Sequence, residues 1–500
     1  MKKNRCPVNP SMTKKLYQLV ISRLDGDRIN NSAYRKTIFR LIRNGIGGFI
    51  LFGGRRDAVK QFTGELQKVS EIPLFIASDI ERGTGQQVSG STIFPCQMAV
   101  AAAIDRTRAD DLHLLEEAIV AIAREASYVG INMPLIPVLD VNQDPDNPII
   151  CTRAFSDDPE VVSWFGSHYI RILEQSGLVS CAKHFPGHGD TSVDSHLWLP
   201  VIQKSYEALK NTDIKPFRDS IMQGVSSIMV GHLSVPAIDV LPSSLSQEIY
   251  RLLRDDLQFT GLILTDALTM SALHGLPDPA VRCLRAGADI LLHPADPDET
   301  VNSLMSAMVA GNLAEDRVED AYARVLSRKA RLSPGVQGNV DFKSHAILSA
   351  RLSEKSVSLV KRGSGKVPLA KDEKVQVFIA GDQEPSSLNF LRTLSPDIRK
   401  CSDHADIGGV TAVVAIFSTV SAWKGSAGIA DDQREKIRTI AGSFPKSIII
   451  SFGNPYILRY FGEADVLVAA FEGSGHAQKT VAEWLRGSRE LEGGIPVRLI

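Results

Sequence analysis

The hydrophobic positions of the first two-thirds of the chain gather into short runs that end in polar residues. The runs are "GGFILFGG" (47–54), "PLFIASDIERG" (73–83), "GINMPLIPVLDVN" (130–142), "LVSCAKHFPGHGD" (178–190), "SSIMVGHLSVP" (226–236), "GLILTDALTM" (261–270) and "GADILLHPAD" (287–296). Stretches with helical spacing of apolar residues lie between them, at 109–127, 159–176, 244–257 and 299–310. Runs apolar on both faces, alternating with helices, predict parallel strands in an α/β fold. Repeated this often, the unit predicts a (β/α)8 barrel of the triosephosphate-isomerase type over residues 1–335, with a doubly wound sheet as the alternative. The rhythm breaks in a Gly-, Ser- and Pro-containing stretch at 336–350, which reads as a linker. A second series follows over 351–500, with apolar runs at 374–382, 410–419, 446–455 and 464–473 and helical stretches at 431–442 and 475–486. It predicts a smaller three-layer α/β sandwich domain.

A length of 500 residues suits two domains. The 44% hydrophobic and 23% charged fractions are those of an ordinary globular chain, and the formal charge of −1 offers no electrostatic grip on nucleic acid. No apolar run approaches the roughly 20 residues that span a bilayer. The basic start "MKKNRCPVNPSMTKKLYQLVISRL" lacks a continuous apolar core and a small-residue cleavage site, so no secretory leader is expected. Six scattered cysteines without CxxC spacing read as thiols in a reducing compartment, which predicts a cytoplasmic protein. Without a phosphate-loop glycine pattern, no cofactor is expected.

In parallel α/β barrels the carboxyl ends of the strands carry the chemistry. Here those ends hold Asp79 and Glu81, Asp140, Lys183 and His184, His232, Asp266 and His293. Helix capping accounts for one or two of these residues but not readily for the whole set. The segment "KHFPGHGDTSVDSH" (183–196) is the densest. Its histidines could bind metal, but their spacing matches no zinc pattern, and the glycines beside His188 suggest a mobile loop. They could be purely structural. A third reading pairs Asp194 with His196: an i, i+2 pair in an extended loop lets the carboxylate orient the imidazole and stabilise its protonated form. Asp266, ending the apolar "LILT" run, is then the candidate nucleophile; as an isolated residue it also reads as a helix cap. No second carboxylate follows it directly, which favours direct attack over participation by a substrate acetamido group.

"KHFPGHGDTSVDSH" followed by "LILTDALTM" resembles the β-N-acetylglucosaminidase (β-hexosaminidase) branch of glycoside hydrolase family 3. "GIGGFILFGG", "PVLDVNQDPDNPIICTRAFSDDPE", "EKSVSLVKRGSGKVPL" and "GGIPVRLI" extend the resemblance along the chain. It implies a retaining hydrolase that removes terminal β-linked N-acetylglucosamine from a small glycan, a muropeptide from cell-wall recycling or a chitooligosaccharide. It also implies His196 as acid/base, Asp194 as its partner, Asp266 as nucleophile, and Asp79, Arg153, Lys183 and His184 as contacts to the sugar hydroxyls. Where the family commonly reads "DQEGG" with an arginine a few residues on, this chain reads "DIERGTGQQV". Arg82 thus replaces a glycine, and Gln87 takes the arginine's place as a neutral hydroxyl contact. Two further readings stay open: a phosphorylase, because a neutral imidazole does not repel phosphate, and a non-catalytic sugar-binding protein.

Overall fold

Each apolar run of the first two-thirds contributes a short strand in the computed structural model, which describes residues 11–332, 338–363, 367–385, 387–402, 411–421 and 424–499. One curled parallel sheet has the order Leu291–Leu292, Val20–Asp25, Gly48–Phe52, Phe75–Ser78, Met133–Pro134. A second runs Cys181–Phe185, Ser227–Val230, Leu262–Thr265. Single parallel bridges, Val138 to Lys183 and Leu264 to Ile290, join the two sheets at both edges. The strands are short and almost wholly buried, as expected where helices cover a parallel sheet.

Three local departures have physical causes. The strand Val20–Asp25 was not marked by the apolar pattern, because Arg23 interrupts it; that guanidinium lies over the Phe52 ring of the neighbouring strand. The run 130–142 yields only Met133–Pro134 as a strand. Pro134 and Pro137 carry no backbone N–H, so the ladder lapses and resumes at the Val138 bridge. The stretch 244–257 forms a helix, Gln247–Arg251, that widens into a π-helical turn over Leu252–Asp256. Elsewhere local signals agree with the outcome, as in the helix Pro159–Gln175, with an Asp158 cap and proline at its first position.

Residues 333–337, within or beside the stretch read as a linker, lie outside the described residues. From Phe342 that stretch is helical: Asp341 caps the helix Phe342–Ser356 by accepting from the Lys343 and Ser344 N–H groups. The helix packs against Gln97–Ala103, Ala109–Tyr128 and Gly475–Leu485. His345 on it reaches the buried Glu125 carboxylate (2.8 Å), which also accepts from the Thr92 amide and hydroxyl.

The last third builds a six-stranded sheet in the order Ser358–Arg362, Val466–Ala469, Lys446–Phe452, Thr411–Phe417, Val375–Gly381, Ile398–Lys400. Only the first pairing is antiparallel. Alternate residues feed apolar clusters on opposite faces, Phe378 and Val414 on one and Val377 and Val413 on the other. The first of these clusters also takes in Met98, Ala99 and Ala102 from the helix Gln97–Ala103, so the two halves share a core. Polar ties reinforce the junction: Arg82 to Glu472 (2.5 Å), Asn142 to the Tyr456 hydroxyl (3.0 Å) and Arg459 to Asp146. No helix among the described residues is long and apolar enough to cross a membrane.

Asp289 shows what holds the far end of the sheet. Fully buried, it accepts from Arg254 (2.6 Å), Arg317 (3.0 Å), Arg324 (3.2 Å) and the Ile263 amide (3.0 Å). Asp289→Ala strands these guanidinium groups near a desolvated site. It is expected to destabilise the fold by about 3 kcal/mol or more, read from the urea midpoint at unchanged m-value.

Candidate active site

Asp79 and Glu81 follow the strand Phe75–Ser78, two residues apart, and face Lys183 of the strand Cys181–Phe185. The Lys183 ammonium lies 2.7 Å from Asp79 Oδ1 and 2.8 Å from Glu81 Oε1. Arg153 donates to both Glu81 oxygens, Nε at 2.9 Å and Nη2 at 2.8 Å. Two cations and two anions therefore neutralise one another in a buried place. Burial alone would push the Glu81 carboxyl up, but Arg153 and Lys183 hold it far below its ordinary range. Burial would likewise lower Lys183, and Asp79 and Glu81 keep it charged. The set is fixed by mutual bonds before any ligand arrives, and its charged donors and acceptors suit vicinal hydroxyls. Glu81 is the member absent from the candidate contacts named above. Its spacing from Asp79 was the available signal, since residues i and i+2 of an extended segment share a side.

The three histidines of 183–196 each have a different partner. Asp140, fully buried, takes His184 Nδ1 on one oxygen (2.7 Å) and the His188 amide on the other (2.7 Å). With Nδ1 so engaged, Nε2 is the His184 nitrogen left for the cavity it lines. His188 Nε2 lies 2.8 Å from Ser195 Oγ, and its Nδ1 is buried without a partner among the described residues. His196 Nδ1 lies 2.9 Å from Asp194 Oδ1, while Asp194 Oδ2 is buried without a hydrogen-bond partner among the described residues. Among the described residues no group of three His, Cys, Asp or Glu side chains is arranged to hold a metal ion.

One expectation about this loop is corrected. The Asp194–His196 pair sits in a turn, not an extended segment. Asp194 Oδ1 also accepts the His196 amide, and the Asp194 carbonyl accepts from Leu197 and Trp198. The glycines beside His188 are closely packed. A Cβ on Gly189 would stand 1.8 Å from the Val141 carbonyl oxygen, and one on Gly187 would stand 2.6 Å from Asp213 Cβ. They are glycine because neighbouring chain passes too close for anything larger, and the Gly189 carbonyl accepts from Gln143 and Asp144.

Asp266 follows the strand Leu262–Thr265 and accepts the Ala267 amide at 2.7 Å. Burial raises its pKa, yet the facing His184, His232 and His196 outweigh that and leave it at about 2. Behind it, buried His232 is fixed between Ser244 Oγ (2.7 Å) and the Ala267 carbonyl (3.2 Å). Asp79, Glu81, Arg153, Lys183, His184, His196 and Asp266 all line one cavity of about 1520 Å³. Asp194 lies behind His196. Gln87 is not brought to the cavity: the 3-10 turn Thr84–Gln86 places Gln86 on the wall, and the Gln87 amide donates to the Asp79 carbonyl (3.3 Å). Sequence reasoning also missed the second half's share of the wall, Ser418–Ser421 and Phe471–Ser474 among it. Arg82, in the family's glycine position, lines the wall bound to Glu472.

His188 supplies a test of this arrangement. Burial is the leading cause that lowers its pKa from 6.5 to about 4, outweighing the pull of Asp140. The unfolded chain therefore takes up this proton first as pH falls. The stabilisation associated with neutral His188 is full above about 6.5 and lost progressively towards 4. Imidazole nitrogen NMR is expected to show His188 neutral at pH 5.5, and His188→Gln is expected to flatten the stability profile between those limits.

The first two-thirds of the chain, residues 11–328, match the family model described as the glycosyl hydrolase family 3 N-terminal domain. A "Beta-N-acetylglucosaminidase/beta-glucosidase" of Cellulomonas fimi is 28% identical over 486 residues, covering 86% of this chain and 85% of that protein. "Beta-hexosaminidase A" of Pseudoalteromonas piscicida is 30% identical over 384 residues, covering 68% of this chain and 64% of its own. Among solved structures, a glycoside hydrolase family 3 β-N-acetylglucosaminidase from Paenibacillus sp. str. FPU-7 superposes with a TM-score of 0.83 at 27% identity, covering 98% of this chain and 99% of that one. A β-glucoside phosphorylase shares the fold at 24% identity, with a TM-score of 0.87 over 98% of this chain and 95% of that one. With this match and the site geometry together, the chain belongs to glycoside hydrolase family 3.

Proposed function

We propose that the chain is a retaining β-N-acetylhexosaminidase that forms a covalent glycosyl intermediate on Asp266. One observation carries this reading. Of the four carboxylates lining the cavity, Asp79 and Glu81 are held by Lys183, and Glu472 by Arg82; Asp266 alone has no cation within ion-pair distance among the described residues. It is ionised, near histidines, and free to approach an electrophilic carbon. His196 as imidazolium protonates the departing oxygen while Asp266 attacks the anomeric carbon and the glycosidic bond breaks. Neutral His196 then takes a proton from the water that displaces Asp266. Asp194 sets the ring's orientation and offsets its charge. Asp79, Glu81, Arg153, Lys183 and His184 hold the terminal sugar.

The relatives named as β-hexosaminidases and β-N-acetylglucosaminidases support N-acetylglucosamine as that sugar. The cavity exceeds the roughly 300–1,000 Å³ of common small-ligand sites, which supports an extended aglycone such as a muropeptide or chitooligosaccharide. The strand pairings that meet at both sheet edges support a (β/α)8 barrel over 1–335, and the six-stranded sheet with its two covered faces supports a three-layer sandwich over 351–500. A histidine in the acid/base position also permits phosphate as an acceptor in the second step, since an anionic carboxylate there would repel it.

A chromogenic β-N-acetylglucosaminide is expected to be cleaved with retention at the anomeric carbon, and product analysis with and without phosphate identifies the acceptor. Asp266→Ala is expected to lose activity by roughly a thousandfold or more while its circular dichroism is unchanged, and a slow fluorinated substrate should label Asp266. Label on another carboxylate overturns the assignment. His196→Ala is expected to cost on the order of 10²–10⁴ in kcat/KM with alkyl or sugar leaving groups and little with dinitrophenol, which needs no proton to depart.

A further inference from the structure

Resting on that reading of the site, one contact outside the proposed chemistry decides where the acid/base stands. The turn that carries Asp194 and His196 is reached by a buried side chain of the loop's base. His188 is 2% exposed, Ser195 is 2% exposed, and His188 Nε2 lies 2.8 Å from Ser195 Oγ. Nothing else about His188 is loose. Its amide donates to Asp140 (2.7 Å), its carbonyl accepts from the Asn147 side chain (2.9 Å), and the glycines on either side are locked by close approach of neighbouring chain. The ring is therefore a strut on a fixed base, and Ser195 is the point where it meets the turn. Asp194 and His196 flank that point directly in sequence.

The buried Nδ1 without a partner gives the strut a direction. A buried N–H left unmatched is rarer in proteins than a buried acceptor left unmatched. The neutral ring is best satisfied with its proton on Nε2, donating to Ser195 Oγ. The same Asp140 carboxylate that fixes His188 also holds His184 Nδ1, and His184 lines the sugar cavity. One buried carboxylate thus sets both a sugar-facing ring and the ring that braces the proton-transfer turn.

We propose that His188 and Ser195 are positioning residues for the acid/base: their hydrogen bond holds the Asp194–His196 turn at the height from which His196 reaches the glycosidic oxygen. Neither transfers a proton or touches the reacting atoms. Losing the brace costs proton transfer more than it costs binding. It therefore appears in kcat, and in kcat/KM only where the leaving group needs a proton.

Ser195→Ala removes the hydroxyl without adding bulk, and Ser195→Thr keeps it. Both are compared with the wild type on the same β-glycosides that the wild type cleaves. Ser195→Ala is expected to lower kcat/KM roughly tenfold for an alkyl or disaccharide leaving group, about the worth of one hydrogen bond, and to leave the dinitrophenyl glycoside within about twofold. On that activated substrate its kcat is expected to fall, because release of the intermediate still needs a base. Azide, which attacks without one, is expected to restore it and yield the glycosyl azide. Ser195→Thr is expected to recover the poor leaving group. His188→Gln is expected to parallel Ser195→Ala where it folds, and the serine variants decide the matter where it does not. Equal losses on both leaving groups without azide rescue, or no loss on either, overturn the proposal. Failure of the wild type to cleave any β-N-acetylglucosaminide overturns instead the function on which it rests.

Discussion

Lys183 is an ammonium group 1% exposed, and the site depends on what neutralises it. An ion without partners would be very costly at that depth, and the cost is met by placing two carboxylates against it and a guanidinium against one of those. That constraint links two strand ends and a 3-10 turn. The segment after Phe75–Ser78 must deliver Asp79 and Glu81 to one side, the turn Cys151–Arg153 must aim Arg153 back across the cavity, and Cys181–Phe185 must present Lys183 between them. Once these four are engaged, Asp266 is the carboxylate left for the proposed chemistry. Its ionisation is favoured by neighbouring histidines, without a direct cation to blunt it.

The histidine segment obeys the same economy of buried polar groups. Asp140 accepts from two amides and one ring, and it thereby fixes both His184 and the start of the loop that ends in His196. The junction between the halves adds a separate layer. Glu472, itself buried, receives Arg82 and Ser353, and Ser353 also meets Ser474, so the cavity's outer wall is pinned by side chains from three distant parts of the chain.

How far the sequence disclosed this differs by residue. Seven of the strands were legible because their apolar runs are bounded by polar ends, and the residues at those ends carried the site's chemistry into view. Val20–Asp25 was hidden by Arg23, whose charge breaks the run although its guanidinium lies over an aromatic neighbour. The helix Phe342–Ser356 was hidden by a composition that reads as a spacer, and the Asp341 cap, the packing against three helices and the contact of His345 with Glu125 explain its order. Asp194 and His196 stood out as a pair, but the turn that joins them depends on carbonyls and amides that carry no side-chain signature. Gln87 was placed by its distance from Asp79 along the chain, and a single 3-10 turn shifts that register by one, bringing Gln86 to the wall. The second half's contribution to the cavity could not be read locally, since it arises from packing across several hundred residues.

Every side chain assigned here to bond making, bond breaking or holding the terminal sugar comes from the first half, whereas the second half supplies wall around Ser418–Ser421 and Phe471–Ser474. The two tasks are therefore written in separate stretches of the gene. Substitutions in the wall segments reshape the cavity while leaving the side chains of the proposed chemistry in place. The shared core around Met98, Ala99 and Ala102 keeps the two parts in one alignment. Such a division lets selection change the diet of the protein by altering one region, with the catalytic apparatus inherited intact.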